Sequence, residues 1–463
     1  MIDVLWGIGG ILGLLVIAVA LSSDRRAIRL RTVLGALALQ LGLGVLVLYW
    51  APGRWLLQKL SAAFQAVIDT SGAGISFLFG PLIPEDGSVF ALQVLPVIVF
   101  FASLTAVLYH WGILQRVVAL LGGILGKVLG TGHAESVNAA ANIFVGQTEA
   151  PLVIRPYIRG MSRSGLFAVM VGGLSTVAGS VLVGYSLLGV PLEYLIAASF
   201  MAAPGALLMA KILVPEDDPE AVARERERVD ASAHRRAGES LPLAERFRRM
   251  AGGGSGADAA AADATSADAP AADASGDAAS GDAAPEDPDV PRHRNVVDAA
   301  ASGAADGMRL AVTVGAMLLA FISLIALLNL LIGTVGGWFG ADGLTFEAIL
   351  GWVFAPFMML VGVPPSEAVS AGSFIGQKIV LNEFVAFANF GPQVEAFSPK
   401  TAAIITFALT GFANLSSFGI LLGGLGGMAP SRRSEIAELG MRAILGGTLA
   451  NLMSAAIAGM LIG

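Results

Sequence analysis

The chain has 463 residues, 55% of them hydrophobic and only 14% charged, with a mean hydropathy of +0.75. A soluble domain carries roughly 25% charged residues, so this composition excludes an ordinary soluble protein and points to an integral membrane one. Much of the acid behind the net charge of −7 sits in one central polar insert, which removes any nucleic-acid reading, and the lack of cysteine excludes disulfides and thiolate metal sites.

Val4–Leu21 has the ~20 apolar residues that a membrane span requires. Asp3 precedes it, and Arg25, Arg26, Arg29 and Arg31 follow, so it reads as an anchor with its N-terminus outside and not as a signal peptide. Val33–Tyr49 returns across the membrane. Trp55–Leu82 is mixed in polarity and is expected outside, partly along the interface, and Phe90–Tyr109 spans again. Trp111–Val128 carries Gln115, Arg116 and Lys127 along an apolar run, which suits an amphipathic helix at the inner interface.

His133–Met161 is apolar but carries Asn138, Asn142, Gln147 and Glu149 before ending in Arg155, Arg159 and Arg163. An acid and several amides at membrane depth are costly unless they face water, a ligand or an ion. This stretch is expected to be a re-entrant hairpin dipping in from the cytoplasm. Leu166–Leu188 follows, interrupted at mid-depth by glycine, serine and threonine, and Pro191–Leu213 closes the first half.

Pro215–Ala300 is a different material. Glu216–Met250 is rich in arginine and glutamate, and Gly252–Pro291 is almost only Ala, Asp, Gly, Ser and Pro, so the insert is expected to be a cytoplasmic linker, disordered in its second part.

The second half repeats the first. Asn295–Gly307 leads into a span at Met308–Ile332, and Leu344–Phe357 is a second amphipathic segment. Ser370–Phe390 echoes the first hairpin, with Gly376-Gln377 for Gly146-Gln147 and Glu383 for Glu149. Ala402–Leu425 is an interrupted span carrying Asn414, Ser416 and Ser417, and Ile436–Ile462 ends the chain. An odd offset between the halves inverts the second, and the arginine clusters fall on one side in this count. The fold class is an all-α integral membrane protein with about eight transmembrane helices plus two re-entrant helical hairpins in an inverted repeat. The divisions are 1–89, a first repeat at 90–213, the insert at 214–300 and a second repeat at 301–463.

Paired interrupted segments in two halves are the best sequence pointer to a transporter's binding site. Two inverted hairpins bring Gln147, Thr148 and Glu149 towards Glu383, with Asn414, Ser416 and Ser417 from one interrupted helix and Thr176 and Ser180 from the other. Carboxylates and amides suit hydroxyls and heterocycle edges, and Phe412 offers a stacking face. With Lys378 the only base at mid-depth in this reading, the set fits a neutral, ring-bearing solute better than an anion. Oxygens of Asn142, Val145, Thr148, Thr176 and Val177 are candidates to hold Na⁺.

At these residues the chain resembles the concentrative nucleoside transporter family, in its bacterial sodium-coupled type. The shared motifs are Asn142–Pro151 (NIFVGQTEAP), Gly376–Ala386 (GQKIVLNEFVA) and Gly411–Ser417 (GFANLSS), and the likeness covers all but the insert. It implies a homotrimer in the bacterial inner membrane with an elevator-like transport domain, while the span count itself puts both termini outside. It also implies nucleobase contacts from Gln147, Thr148 and Glu149 with Val181 nearby, ribose contacts from Glu383, Asn414 and Ser417 beside Phe412, and Na⁺ held by Asn142, Val145, Thr148, Thr176 and Val177. The presence of Asn142 favours sodium over proton coupling. Two other readings use the same carboxylates: proton-coupled symport, and an intramembrane enzyme with Glu149 and Glu383 as an acid/base pair. No nucleophile motif accompanies that pair, and none of the four histidines begins an H-E-x-x-H zinc motif.

Overall fold

The structure is a computed structural model that describes residues 2–83, 89–218, 220, 222–224, 294–341 and 343–462. The expected disorder of Gly252–Pro291 lies outside the described residues, as does most of the insert.

The first two spans are α1 (Ile2–Ala20) and α2 (Leu30–Gly44), the latter ending in a π turn at Val45–Tyr49. Next comes α3 (Ala51–Phe79), which starts with Pro52 in its first turn, where the missing N–H is no loss. A short turn, α4 (Phe90–Gln93), precedes α5 (Leu95–His110). Gly112, at φ 72°, makes the left-handed turn into α6 (Ile113–Leu129). That helix is amphipathic as expected, burying Leu114, Val118, Gly122, Leu125 and Leu129 along one face.

Hairpin 1 consists of α7 (His133–Ala141), an irregular tip at 142–149, and two short turns, α8 (Ala150–Val153) and α9 (Arg155–Ile158). A broken helix follows, α10 (Arg163–Ser175) and α11 (Gly179–Leu187), then the unbroken α12 (Leu192–Leu213).

The second half presents the same order. It runs α13 (Val296–Trp338), then α14 (Phe346–Leu360), then hairpin 2 as α15 (Pro365–Val380) and α16 (Glu383–Phe390). A second broken helix, α17 (Pro399–Leu409) and α18 (Leu415–Met428), leads to α19 (Arg433–Ile462). The first broken helix and α12 are 89% and 94% buried over their apolar windows, against 28% for α1. The centre of the fold is therefore the two broken helices, packed against α12 and α19.

Among the described residues, eight helical stretches are long and apolar enough to cross a membrane by length and composition. The number matches expectation, but one member is exchanged for another. Ala51–Leu82, expected along the interface, qualifies as a candidate with the lowest mean hydropathy of the eight, 1.2. Ala402–Leu425, counted as one span, is two short helices separated at Thr410–Asn414. A second difference concerns α13, which begins at Val296 and not at Met308, because the alanine-rich lead is a good helix former. Its 43 residues extend about 65 Å, twice a ~30 Å hydrocarbon core. Meanwhile α14 turns back onto α15 through 116°.

Close contact between α13 and α5 depends on small residues at four-residue spacing. A Cβ added at Gly303 would lie 2.6 Å from Ala106 Cβ, and one at Gly307 would lie 2.7 Å from Ala102 Cβ and 2.8 Å from Val99 Cα. Such small-xxx-small faces let helix backbones approach in a membrane. Gly307→Leu should therefore separate the pair and destabilise the protein by about 1–3 kcal/mol, as overpacking does. A lower thermal unfolding midpoint of the detergent-purified variant, with Gly315→Leu as a milder comparison, checks this.

Candidate functional site

Hairpin 1, hairpin 2, both broken helices and α13 surround a cavity of about 160 Å³. The hairpin 1 tip lines it with Gly146, Gln147, Thr148 and Glu149, and α11 with Ser180 and Val181. Hairpin 2 adds Asn382, Glu383 and Phe384, and the second broken helix adds Phe412, Ser416, Ser417 and Ile420. Seven of the eight residues expected to face a substrate thus meet at one cavity, and the eighth, Asn414, lies directly behind it.

Glu383 is buried and is the first residue of α16, where unpaired N–H groups favour an anion. Asn382, the cap of that helix, accepts from Val385 N at 2.9 Å, which fixes where the helix begins. The Glu383 carboxylate receives Asn414 Nδ2 on Oε2 at 2.6 Å and the Tyr185 hydroxyl on Oε1 at 3.2 Å. Asn414 is itself the cap of α18, its Oδ1 accepting from Ser417 N at 2.7 Å and from Ser416 Oγ at 2.9 Å. One amide therefore starts a helix and orients the buried carboxylate.

On the opposite side, Glu149 lines the cavity, as expected of an acid facing a ligand; its Oε2 turns back to accept from Gly146 N at 3.2 Å and braces the tip. The tip is pinned to the first break, since Gly179 N donates to Phe144 O at 3.1 Å. The two breaks are joined in turn, with Phe412 N donating to Thr176 O at 3.2 Å.

The residues expected to hold Na⁺ lie beside this cavity and not on its wall, except Thr148. Asn142, Val145, Thr176 and Val177 are buried where the tip meets the first break. Asn142 donates Nδ2 to Asn138 O at 2.9 Å, and its buried Oδ1 has no hydrogen-bond partner among the described residues. Thr176 Oγ1 donates to Gly172 O at 2.9 Å, which leaves its lone pairs available. Neutral oxygens beside irregular backbone suit a monovalent cation. Among the described residues no group of His, Asp or Glu is placed to hold a higher-valent metal.

Sequence reasoning missed two contributors. Tyr185 is fully buried, stacks on Phe387 at 4.2 Å and reaches Glu383, yet a tyrosine inside an apolar helix gives no signal of its own. Leu310, Thr313, Val314 and Met317 of α13 close the cavity. Their i, i+3, i+4, i+7 spacing marks a helix face, but a cavity-lining face and a lipid-facing one look alike in so apolar a helix.

Three family models match the chain: "Na+ dependent nucleoside transporter N-terminus" over residues 9–82, "Nucleoside recognition" over 91–191 and "Na+ dependent nucleoside transporter C-terminus" over 264–459. The chain is 43% identical to the nucleoside permease NupC of Helicobacter pylori, over 99% of this chain and 98% of the relative. It is 33% identical to the sodium/nucleoside cotransporter 1 of Sus scrofa, over 98% of this chain and 63% of that longer relative. The solved structure of CNTnw in an inward-facing substrate-bound state is 48% identical, with a TM-score of 0.82 over 99% of this chain and 98% of the other. A doubly substituted CNTnw in an outward-facing state matches at 47% identity and the same TM-score, over 100% and 98%.

Because Asn414 serves both the helix start and the carboxylate, Asn414→Ala should cost more stability than Tyr185→Phe. The lost cap contributes about 0.5–2 kcal/mol, and the carboxylate left short of a donor about 1–3 kcal/mol more. Thermal unfolding of the two variants in detergent measures the order; equal midpoints would contradict the double role.

Proposed function

The chain belongs to the Na⁺-dependent nucleoside transporter family, and from that premise we propose that it imports nucleosides such as uridine and adenosine by symport with Na⁺. One observation carries this reading. The acceptor- and amide-bearing tip Gln147–Glu149 and the Asn414-braced Glu383 face one cavity from two different hairpins. Gln147, Thr148 and Glu149, with Val181 beside them, contact the base edge. Glu383, Asn414 and Ser417 hold the ribose hydroxyls, the carboxylate accepting from a hydroxyl, and Phe412 packs against the sugar. Na⁺ is held by Asn142, Val145, Thr148, Thr176 and Val177. Thr148 belongs to both sets, so cation and nucleoside each favour the same tip geometry. Such shared preference makes each raise the other's affinity.

Alternation is of the elevator type, with the hairpins and broken helices of the two repeats forming the body that carries the cavity; the outward- and inward-facing states of the similar CNTnw structures support this. The assembly is a homotrimer in the cytoplasmic membrane of a bacterium, with both termini outside and the 214–300 insert inside. Those assignments rest on the family likeness and on the distribution of arginine.

Radiolabelled uridine uptake into proteoliposomes tests the reading, with an inward Na⁺ gradient set against an equal choline gradient. Accumulation should require Na⁺; equal uptake in both, lost on collapsing a pH gradient, would assign the coupling to protons. Glu383→Gln should lower uptake by about tenfold or more, the effect of weakening charge-assisted hydrogen bonds. Asn142→Ala should raise the Na⁺ concentration for half-maximal uptake roughly tenfold, equivalent to about 1.4 kcal/mol. An unchanged Na⁺ dependence would remove Asn142 from the cation site.

A further inference from the structure

Lys378 is buried on α15 and is not on the cavity wall. Its Nζ donates to Ala408 O and to Asn451 Oδ1, both at 2.8 Å. Asn451, in the middle of α19, donates its Nδ2 to Ser175 O and Thr410 O, each at 2.7 Å. Ser175 is the last residue of α10, and Ala408 and Thr410 flank the end of α17. Two helix C-termini therefore converge at the breaks, and one ammonium with one amide satisfies three of their carbonyls. Each C-terminus carries about half a negative charge, so the two together amount to about one unit, which a single ammonium offsets.

The two halves of the chain answer the same problem differently. At the first break the facing hairpin offers Asn142, whose Oδ1 is buried and unpaired among the described residues. At the second break the facing hairpin offers a lysine, and the oxygens it meets are a backbone carbonyl and an amide, neutral ligands of the kind that hold monovalent cations. We propose that Lys378 is a tethered cation: its ammonium fills, at the second break, an oxygen-lined site like the one the first break leaves for a free ion. Replacing it with a small neutral residue converts that place into a second binding site for Na⁺ or a small ammonium ion. This holds whichever residues bind the coupling Na⁺, because the readout is the difference between variant and unmodified protein.

The experiment compares the purified protein, Lys378→Ala and Lys378→Met in detergent. Thermal unfolding is followed against NaCl, methylammonium chloride and choline chloride at constant ionic strength. Lys378→Ala should unfold earlier than the unmodified protein in choline. It should recover saturably in Na⁺ or methylammonium, by more than the unmodified protein's own response. Lys378→Met fills the volume without charge and leaves no room for an ion, so it should be destabilised in all three salts alike. In proteoliposomes Lys378→Ala should show a steeper Na⁺ dependence of uridine uptake, which a packing role alone would not produce. Two results overturn the proposal: Lys378→Met matching the unmodified protein in stability and Na⁺ dependence, or Lys378→Ala responding to Na⁺ and methylammonium no more than the unmodified protein does. If Lys378→Ala is not recovered from membranes extracted in choline, recovery in Na⁺ or methylammonium supports the proposal. Failure in all three salts overturns it.

Discussion

A helix interrupted inside a membrane leaves carbonyls unpaired on one side of the break and N–H groups unpaired on the other. Lipid offers neither a partner, and each unmet group costs several kcal/mol. Most of the polar residues at the centre of this protein answer that constraint first. Asn451 and Lys378 take the carbonyls of Ser175, Ala408 and Thr410. Asn414 and Asn382 take the N–H groups of Ser417 and Val385, and Thr176 O takes Phe412 N. With the breaks closed in this way, the groups that remain unpaired or turned inward define what the cavity and the tip beside it can bind.

The buried charges obey the same geometry. Glu383 stands at the start of a helix and Lys378 near the end of another, with the Leu381-Asn382 break of hairpin 2 between them. Each sign therefore sits where the backbone dipole favours it. The opposite placement would put like charges against like dipole ends in a low-dielectric interior, where such contacts are least screened. Glu149 differs: it lines the cavity, and the Gly146 N–H holds its rotamer.

What was legible in the sequence was whatever contradicts lipid. Gly-Gln pairs, glutamates and asparagines in otherwise apolar runs located both hairpins and both breaks, because such residues are too costly at that depth to be incidental. Tyr185 and the α13 wall were not legible, because an apolar or amphipathic side chain is at home in a membrane whether it faces lipid or a cavity. Helix extents were harder still. The lead at Val296–Gly307 carries Asp298, Asp306 and several small residues and looks like a loop, but alanine propensity carries the helix through it. Ala51–Leu82 shows the limit of hydropathy, since at a mean of 1.2 the same composition serves a span or an interfacial helix.

The cavity wall is chemically divided, and the division bears on movement. Its polar groups belong to hairpins and broken helices that are bonded to one another through Glu383–Asn414, Tyr185–Glu383 and Phe412–Thr176. The α13 wall is apolar apart from Thr313, whose hydroxyl is already turned to its own helix at Arg309 O, 2.7 Å away. A surface whose polar groups are satisfied internally presents only dispersion contacts, which are individually small and indifferent to register. A body carrying the substrate contacts can then shift along α13 without breaking a hydrogen bond at that wall. Glycines at 303 and 307 let α13 pack closely on α5. The proposed elevator movement thus meets, at the α13 wall, a face that offers it no hydrogen bond to break.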